Sequence, residues 1–214
     1  WARYLGLDGG QRTSVMLVGV NDWSIALGRM LSGLDVPVTI VDTSKFALRD
    51  ARKADLPTLR GDLLDEEVRH QVNWRDYQAV LAVSTNDAYN ALVCSELGPE
   101  IGFNRTFQIA PDRREGMTRP RGNVLFADAL SVDDLLERTE GGWRFSRTKI
   151  TETFTLADLS DRLTGGGAAL AVLDEGMQLR FWTAAESRRP VAGEGVISFL
   201  PPESAPPARA RAAA

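Results

Sequence analysis

The run Val15-Met16-Leu17-Val18-Gly19-Val20 constrains this chain more than any other feature. It has no polar position, and a strand with one wet face would alternate, so the run describes a strand covered on both sides. It is strand-sized, far short of the roughly 20 apolar residues that cross a bilayer, and no apolar run elsewhere approaches that length. A strand buried on both faces needs layers above and below it. Helical spacing follows at once: Leu27, Met30, Leu31 and Leu34 recur after Trp23, until Asp35 and Pro37 stop the pattern.

The alternation then continues. Residues 36–42 read as a second strand with Pro37 near its start, where a missing donor is tolerated. Residues 44–54 form a charged surface helix, 57–60 a third strand closed by Gly61-Asp62, and 65–72 a short helix. Residues 79–84 are a fourth strand, 86–97 a helix capped by Thr85 or Asn86, and 103–109 a fifth strand. Strands and helices alternating at this pitch build βαβ units, and right-handed crossovers place helices on both faces of a parallel sheet. The expected fold is α/β, a doubly wound parallel sheet over residues 15–111 behind a lead-in of 1–14.

Residues 112–123 are rich in Arg, Gly and Pro without hydrophobic period and read as a loop or linker. Beyond them, 124–127, a helix near 132–138, and strand-like stretches at 143–154, 168–173, 177–182 and 196–200 describe a β-rich α+β domain over 124–201. Residues 202–214 carry prolines and little to bury, the composition of a disordered tail or severed linker. One large domain and one small one suit 214 residues. The chain starts at Trp1 with no leader, which is expected of a piece of something longer.

Composition removes several classes of function. A net charge of −4 leaves no basic face for nucleic acid. One histidine, His70, and one cysteine, Cys94, are too few for a zinc site of the usual ligands, and Cys94 reads as a small core residue.

In an open parallel sheet the ligand crevice lies at the carboxyl ends of the strands, and the first strand-to-helix turn receives phosphate. That turn is Gly19-Val20-Asn21-Asp22-Trp23-Ser24. Gly19 suits the tight turn, but Asn21 stands where a second glycine would let backbone approach a pyrophosphate, and Ser24 replaces the third. Helix amides still favour an anion and Ser24 adds a hydroxyl donor. Asp22 opposes this, by about 4 kcal/mol of repulsion at roughly 4 Å and a surface-like dielectric. Trp23 either packs beneath the turn or fills the crevice.

Asp42 follows Gly19 by 23 positions at the end of the second strand, where a carboxylate accepts both hydroxyls of an adenosine ribose. The alternative is that Asp42 caps the next helix, a role Thr43 or Ser44 fills equally well. Gly61 and Asp62, followed by Leu63, either flank an adenine edge or make a plain turn. Thr85, Asn86, Asp87 and Asn90 either open onto the same crevice or cap and charge the helix they begin.

Taken in order, these residues resemble the RCK (TrkA-N) family of nucleotide-binding domains attached to potassium channels and transporters. That pattern is a glycine turn, an acidic end to the second strand, Gly-Asp after the third, and an acidic-x-x-Asn helix opening. Here they are Gly19, Asp42, Gly61-Asp62, and Asp87 with Asn90. The segments Ser84-Thr85-Asn86-Asp87-Ala88-Tyr89-Asn90-Ala91-Leu92 and Thr106-Phe107-Gln108-Ile109 are similar to those of the branch fused behind NhaP-like bacterial sodium/proton antiporters. In the second half, Leu156-Ala157-Asp158-Leu159, residues 168–173 and the stretch 190–197 resemble a TrkA-C-like domain, with Gly193-Glu194 where Gly-Asp is frequent.

The resemblance implies a Rossmann-like domain that binds NAD(H) or a mononucleotide such as AMP, ADP or ATP. It further implies a homodimer that gates an attached or partner sodium or potassium/proton antiporter at the cytoplasmic face of the bacterial inner membrane. No catalytic role and no metal is expected. An NAD-dependent oxidoreductase would need a proton donor, and none of Tyr4, Tyr77 or Tyr89 is followed four residues later by lysine. A dimerisation scaffold with a decayed pocket is the other alternative, supported by Asn21, Asp22 and Ser24.

Overall fold

The computed structural model describes residues 13–112, 119–186 and 188–202. The lead-in up to residue 12, the middle of the predicted linker and the tail from residue 203 lie outside these.

β1 (Ser14–Val18) is buried on both faces, as its lack of alternation requires. Val15 and Leu17 point into one apolar cluster, and Met16 and Val18 into another. The first cluster takes Leu27 and Leu31 from α1 (Asp22–Ser32), and the second takes Val93, Cys94, Leu97 and Ile101 from α4 (Asp87–Ile101). The two helices therefore cover opposite faces of one sheet.

Between them run β2 (Val38–Asp42), α2 (Lys45–Lys53), β3 (Thr58–Arg60), the short α3 (Glu66–His70) and β4 (Tyr77–Ala82). β5 (Thr106–Gln108) and β6 (Asn123–Val124) follow, giving a parallel sheet in the order β3-β2-β1-β4-β5-β6. This is the doubly wound, Rossmann-like arrangement.

Two elements differ from their sequence pattern. α4 runs past Pro99 to Ile101, because Leu97 and Ile101 are anchored in the core and hold its last turn. Phe103, expected to open the fifth strand, begins a 3-10 turn and is 58% exposed; Gly102 at φ +103° redirects the chain there.

The second part holds α5 (Val132–Glu140), β7 (Arg144–Lys149), α6 (Leu156–Leu163), β8 (Ala168–Leu173), β9 (Leu179–Phe181) and β10 (Gly195–Leu200). Its sheet is antiparallel in the order β7-β10-β8-β9.

The stretch at 124–127, expected to open this β-rich part, instead contributes to the first sheet. Gln108 explains why: its Oε1 accepts the amides of Arg121 and Gly122 at 2.8 and 2.9 Å, and its carbonyl accepts Leu125 N at 2.8 Å. The returning chain is thereby laid parallel to β5. It then meets the second sheet, with Phe126 N donating to Trp182 O at 3.0 Å and Ala184 N to Val124 O at 2.9 Å. Gln78 at the start of β4 adds a second tie, its Nε2 donating to Met177 O at 3.0 Å and its Oε1 accepting Leu179 N at 2.7 Å. One apolar cluster holds residues of both sheets and of α1 between them, among them Leu17, Trp23, Leu170, Ile197 and Phe199. Among the described residues, no helix is long and apolar enough to cross a membrane.

Candidate nucleotide site

A crevice of about 290 Å³ opens at the carboxyl ends of β1 to β4. Its walls are Gly19 after β1, Val41, Asp42 and Thr43 at the end of β2, Asp62 after β3, Ser84, Thr85 and Asn86 in the β4–α4 loop, and Tyr89 on α4. Six predicted residues meet here: Gly19, Asp42, Thr43, Asp62, Thr85 and Asn86.

Gly19 has φ +109°, and a Cβ built on it would lie 2.6 Å from Ser84 Cα and 2.7 Å from Ser84 N. The glycine is thus required by the protein's own backbone, where the loop after β4 crosses the turn. Gly19→Ala is expected to destabilise the fold by about 2–4 kcal/mol, combining left-handed strain with a clash against main chain that cannot swing aside. Chemical denaturation of the variant beside wild type measures this; an unchanged midpoint would show that the two loops can separate freely.

Asp42 is half-buried, and both its oxygens are engaged: Oδ2 accepts Val20 N and Oδ1 accepts Ser44 N, each at 2.8 Å. These bonds aim the carboxylate across the end of β1. A carboxylate has roughly four acceptor positions, so two remain for a ligand's hydroxyls. Capping of α2 is done by Ser44, whose Oγ accepts Ala47 N at 3.3 Å. Asp42 is therefore not the cap.

Asp62 Oδ1 accepts Leu64 N and the Tyr89 hydroxyl, both at 2.9 Å. Burial, followed by the hydrogen bond to Asp62, pushes the Tyr89 phenol well above its ordinary range, so it remains a donor. Tyr89 and Ser84 were not singled out by the sequence. Ser84 directly precedes Thr85 at the end of the fourth apolar run, and Tyr89 lies one helical turn from Asn86, so spacing alone marks both.

The other predicted residues hold structure together. Asn21 caps α1: its Oδ1 accepts Ser24 N at 2.8 Å while Ser24 Oγ accepts Asn21 N at 2.9 Å, a reciprocal capping box. Ser24 is fully buried, and its hydroxyl donates to Asn21 O at 3.0 Å, so the donor expected to face phosphate is spent within the turn. Asp22 is exposed on the first turn of α1 and does not line the crevice. Trp23 is buried beneath the turn against Phe126 and Phe145, with ring centroids 6.2 and 5.6 Å away, and leaves the crevice open.

Gly61 makes room for α3, since a Cβ there would lie 2.7 Å from Val68 Cγ1. Leu63 is in the core. Asp87 Oδ2 accepts Asp112 N at 2.7 Å. Asn90, fully buried, clamps Ser84: its Oδ1 accepts Ser84 N and Oγ at 3.0 and 2.8 Å, and its Nδ2 donates to Ser84 O at 2.8 Å. Asn86 caps α4 by accepting Tyr89 N at 3.0 Å, and Thr85 does not.

A larger cavity of about 350 Å³ lies at the start of α5, but Asp112, Asp128, Asp133, Asp134 and Glu137 line it, which suits no phosphate. Among the described residues no group of carboxylates, histidines and cysteines has the arrangement to hold a metal ion. His70 is exposed on α3, with Nε2 3.8 Å from Glu66 Oε1, and Tyr77 donates to Thr39 Oγ1 at 3.1 Å; neither reaches the crevice. Cys94 is a core thiol, its pKa pushed up to about 12 by burial.

No curated protein shows significant similarity to the chain. Among solved structures, it is similar to the NAD(P)-binding domain of an exopolyphosphatase-related protein from Archaeoglobus fulgidus, at 18% identity and TM-score 0.42, covering 49% of this chain and 78% of that one. It is similar to the GsuK RCK domain at 14% identity and TM-score 0.44, covering 94% and 46%. It is also similar to the GsuK channel bound to NAD, at 13% identity and TM-score 0.46, covering 92% and 38%. This chain thus spans less than half the length of those two GsuK chains. The family model of the TrkA-N domain matches residues 15–101. That interval opens in β1, closes on the last residue of α4 and contains every wall of the crevice: residues 15–101 of this protein are a TrkA-N domain.

Proposed function

We propose that the protein is a regulatory module that binds an adenine nucleotide in this crevice and passes its occupancy, through a homodimer, to an attached or partner cation/proton antiporter. The observation that carries this reading is the Asp42 carboxylate, held by two backbone amides in a crevice whose floor is the Gly19 turn. In this reading Asp42 accepts the ribose hydroxyls, the base lies toward Asp62 and Tyr89, and phosphate faces Thr85 and Asn86.

The site has acceptors and a cradle but no histidine and no unengaged tyrosine hydroxyl, which favours binding over proton transfer. A path toward the second sheet supports regulation. Asp87, on the first turn of α4, holds Asp112 N, and the neighbouring Ala110 N donates to Leu130 O at 3.2 Å at the entrance to α5. A ligand that orders the start of α4 would act on α5 through these bonds.

Thermal unfolding with NAD, NADH, AMP, ADP and ATP tests the proposal. A ligand that binds only the native state adds about 2.7 kcal/mol of stability at a hundredfold excess over its Kd. At least one of the five is expected to raise the transition. If all leave it in place, the chain is a scaffold with a decayed pocket.

A further inference from the structure

The carboxyl edge of the sheet is open on one side of β1 and bridged on the other. Asn21 Nδ2 donates to Val83 O at 2.8 Å, joining the turn after β1 to the chain leaving β4. Gly19 and Ser84 touch beside this bridge, at the distances that exclude a Cβ, and Asn90 pins Ser84 there from the core. The Asn21 carboxamide is held at both ends, because Oδ1 accepts Ser24 N while Nδ2 reaches Val83. It cannot rotate out without losing one bond or the other.

In a doubly wound sheet a dinucleotide crosses the switch point between the first and fourth strands, one mononucleotide unit on each side. Here that crossing is where the Asn21 bridge sits. The crevice walls agree: they come from the ends of β1, β2, β3 and the β4–α4 loop, and none comes from residues 109–111 beyond β5. Its volume of about 290 Å³ is at the small end for a ligand site, which runs from about 300 Å³ upward.

We infer that the crevice accepts an adenine mononucleotide and excludes a dinucleotide, and that Asn21 is the specificity-determining residue. The inference rests on the nucleotide reading above. Asn21 occupies the place where a pyrophosphate needs close backbone approach, so a dinucleotide must displace the carboxamide and break the bridge before it can lie across the turn.

Calorimetric titration of the wild type and of Asn21→Gly with AMP, ADP-ribose and NAD⁺ tests it. Glycine is accepted at a helix N-cap with little cost, so this variant removes the side chain while keeping the turn. Asn21→Ser keeps a cap acceptor but is too short to reach Val83, and it carries the comparison if the glycine variant does not melt cooperatively. Wild type is expected to bind AMP at least about tenfold more tightly than ADP-ribose or NAD⁺, and Asn21→Gly to reduce that ratio about tenfold, with Asn21→Ser between them. Equal or tighter binding of NAD⁺ by wild type, or a ratio unmoved by both substitutions, would overturn the inference while leaving nucleotide binding intact. Wild type binding none of these three, and neither ADP nor ATP, would overturn the nucleotide reading and this inference together.

Discussion

Asp42→Ala is expected to abolish nucleotide binding, with any ligand-induced thermal shift of the wild type lost at concentrations that saturate it. Each hydrogen bond between a ribose hydroxyl and a charged carboxylate contributes about 1.5–3 kcal/mol, so losing two weakens binding by at least about a hundredfold. The fold will also lose stability, because Val20 N and Ser44 N both donate to this carboxylate. Val20 N is part-buried, and leaving it unpaired costs about 1–3 kcal/mol.

Asp42→Asn separates the two effects. Its remaining carbonyl oxygen can keep one backbone amide, while the NH₂ group presents a donor where ribose also presents donors. Asn is therefore expected to recover part of the stability and little of the affinity. Titration calorimetry for binding and urea unfolding for stability read the two separately. Full affinity in both variants would mean that the ribose lies elsewhere.

The largest effect on the fold is expected at Trp23. Its side chain is 1% exposed and packs against Phe126, just beyond β6, and Phe145, on β7 of the second sheet, so it ties α1 to the C-terminal part. Trp23→Ala is expected to cost about 3–5 kcal/mol, since the cavity opens between elements that cannot both close on it. For a chain of this length that lowers the melting temperature by roughly 6–20 °C.

Trp23→Phe should cost far less than alanine, for a reason beyond volume. Trp23 Nε1 is buried with no hydrogen-bond partner among the described residues, and phenylalanine removes this unsatisfied donor along with part of the ring. A phenylalanine variant as unstable as alanine would mean that the indole nitrogen has a partner, such as an ordered water.

The sheet and the position of its crevice were legible because both depend on short-range pattern. β1 has no polar position, and a parallel sheet puts all carboxyl ends on one edge; Gly19, Asp42, Asp62 and Thr85 then converge wherever the helices lie. Strand ends were read too long where the hydrophobic run outlasts the hydrogen bonds, as at Phe103, which is apolar yet exposed. Helix α4 continues past the predicted end at residue 97 and through Pro99, because burial of Ile101 holds its last turn.

The division of labour among the polar residues of the crevice was not legible in the same way. A serine, asparagine or aspartate at a strand-to-helix turn can face a ligand or cap a helix, and its neighbours in the chain are alike in both cases. Asn21 is decided by a carbonyl 62 residues away, and Asp87 by an amide 25 residues away. Gln108 and Trp182 likewise decide that the chain after residue 122 joins the first sheet before reaching the second. Periodicity along the chain is enough to order the strands and to gather the acidic groups at one rim. Which side chain stays available there, and how far the cleft extends past β1, depends on hydrogen bonds between distant segments that form only when the whole chain has packed.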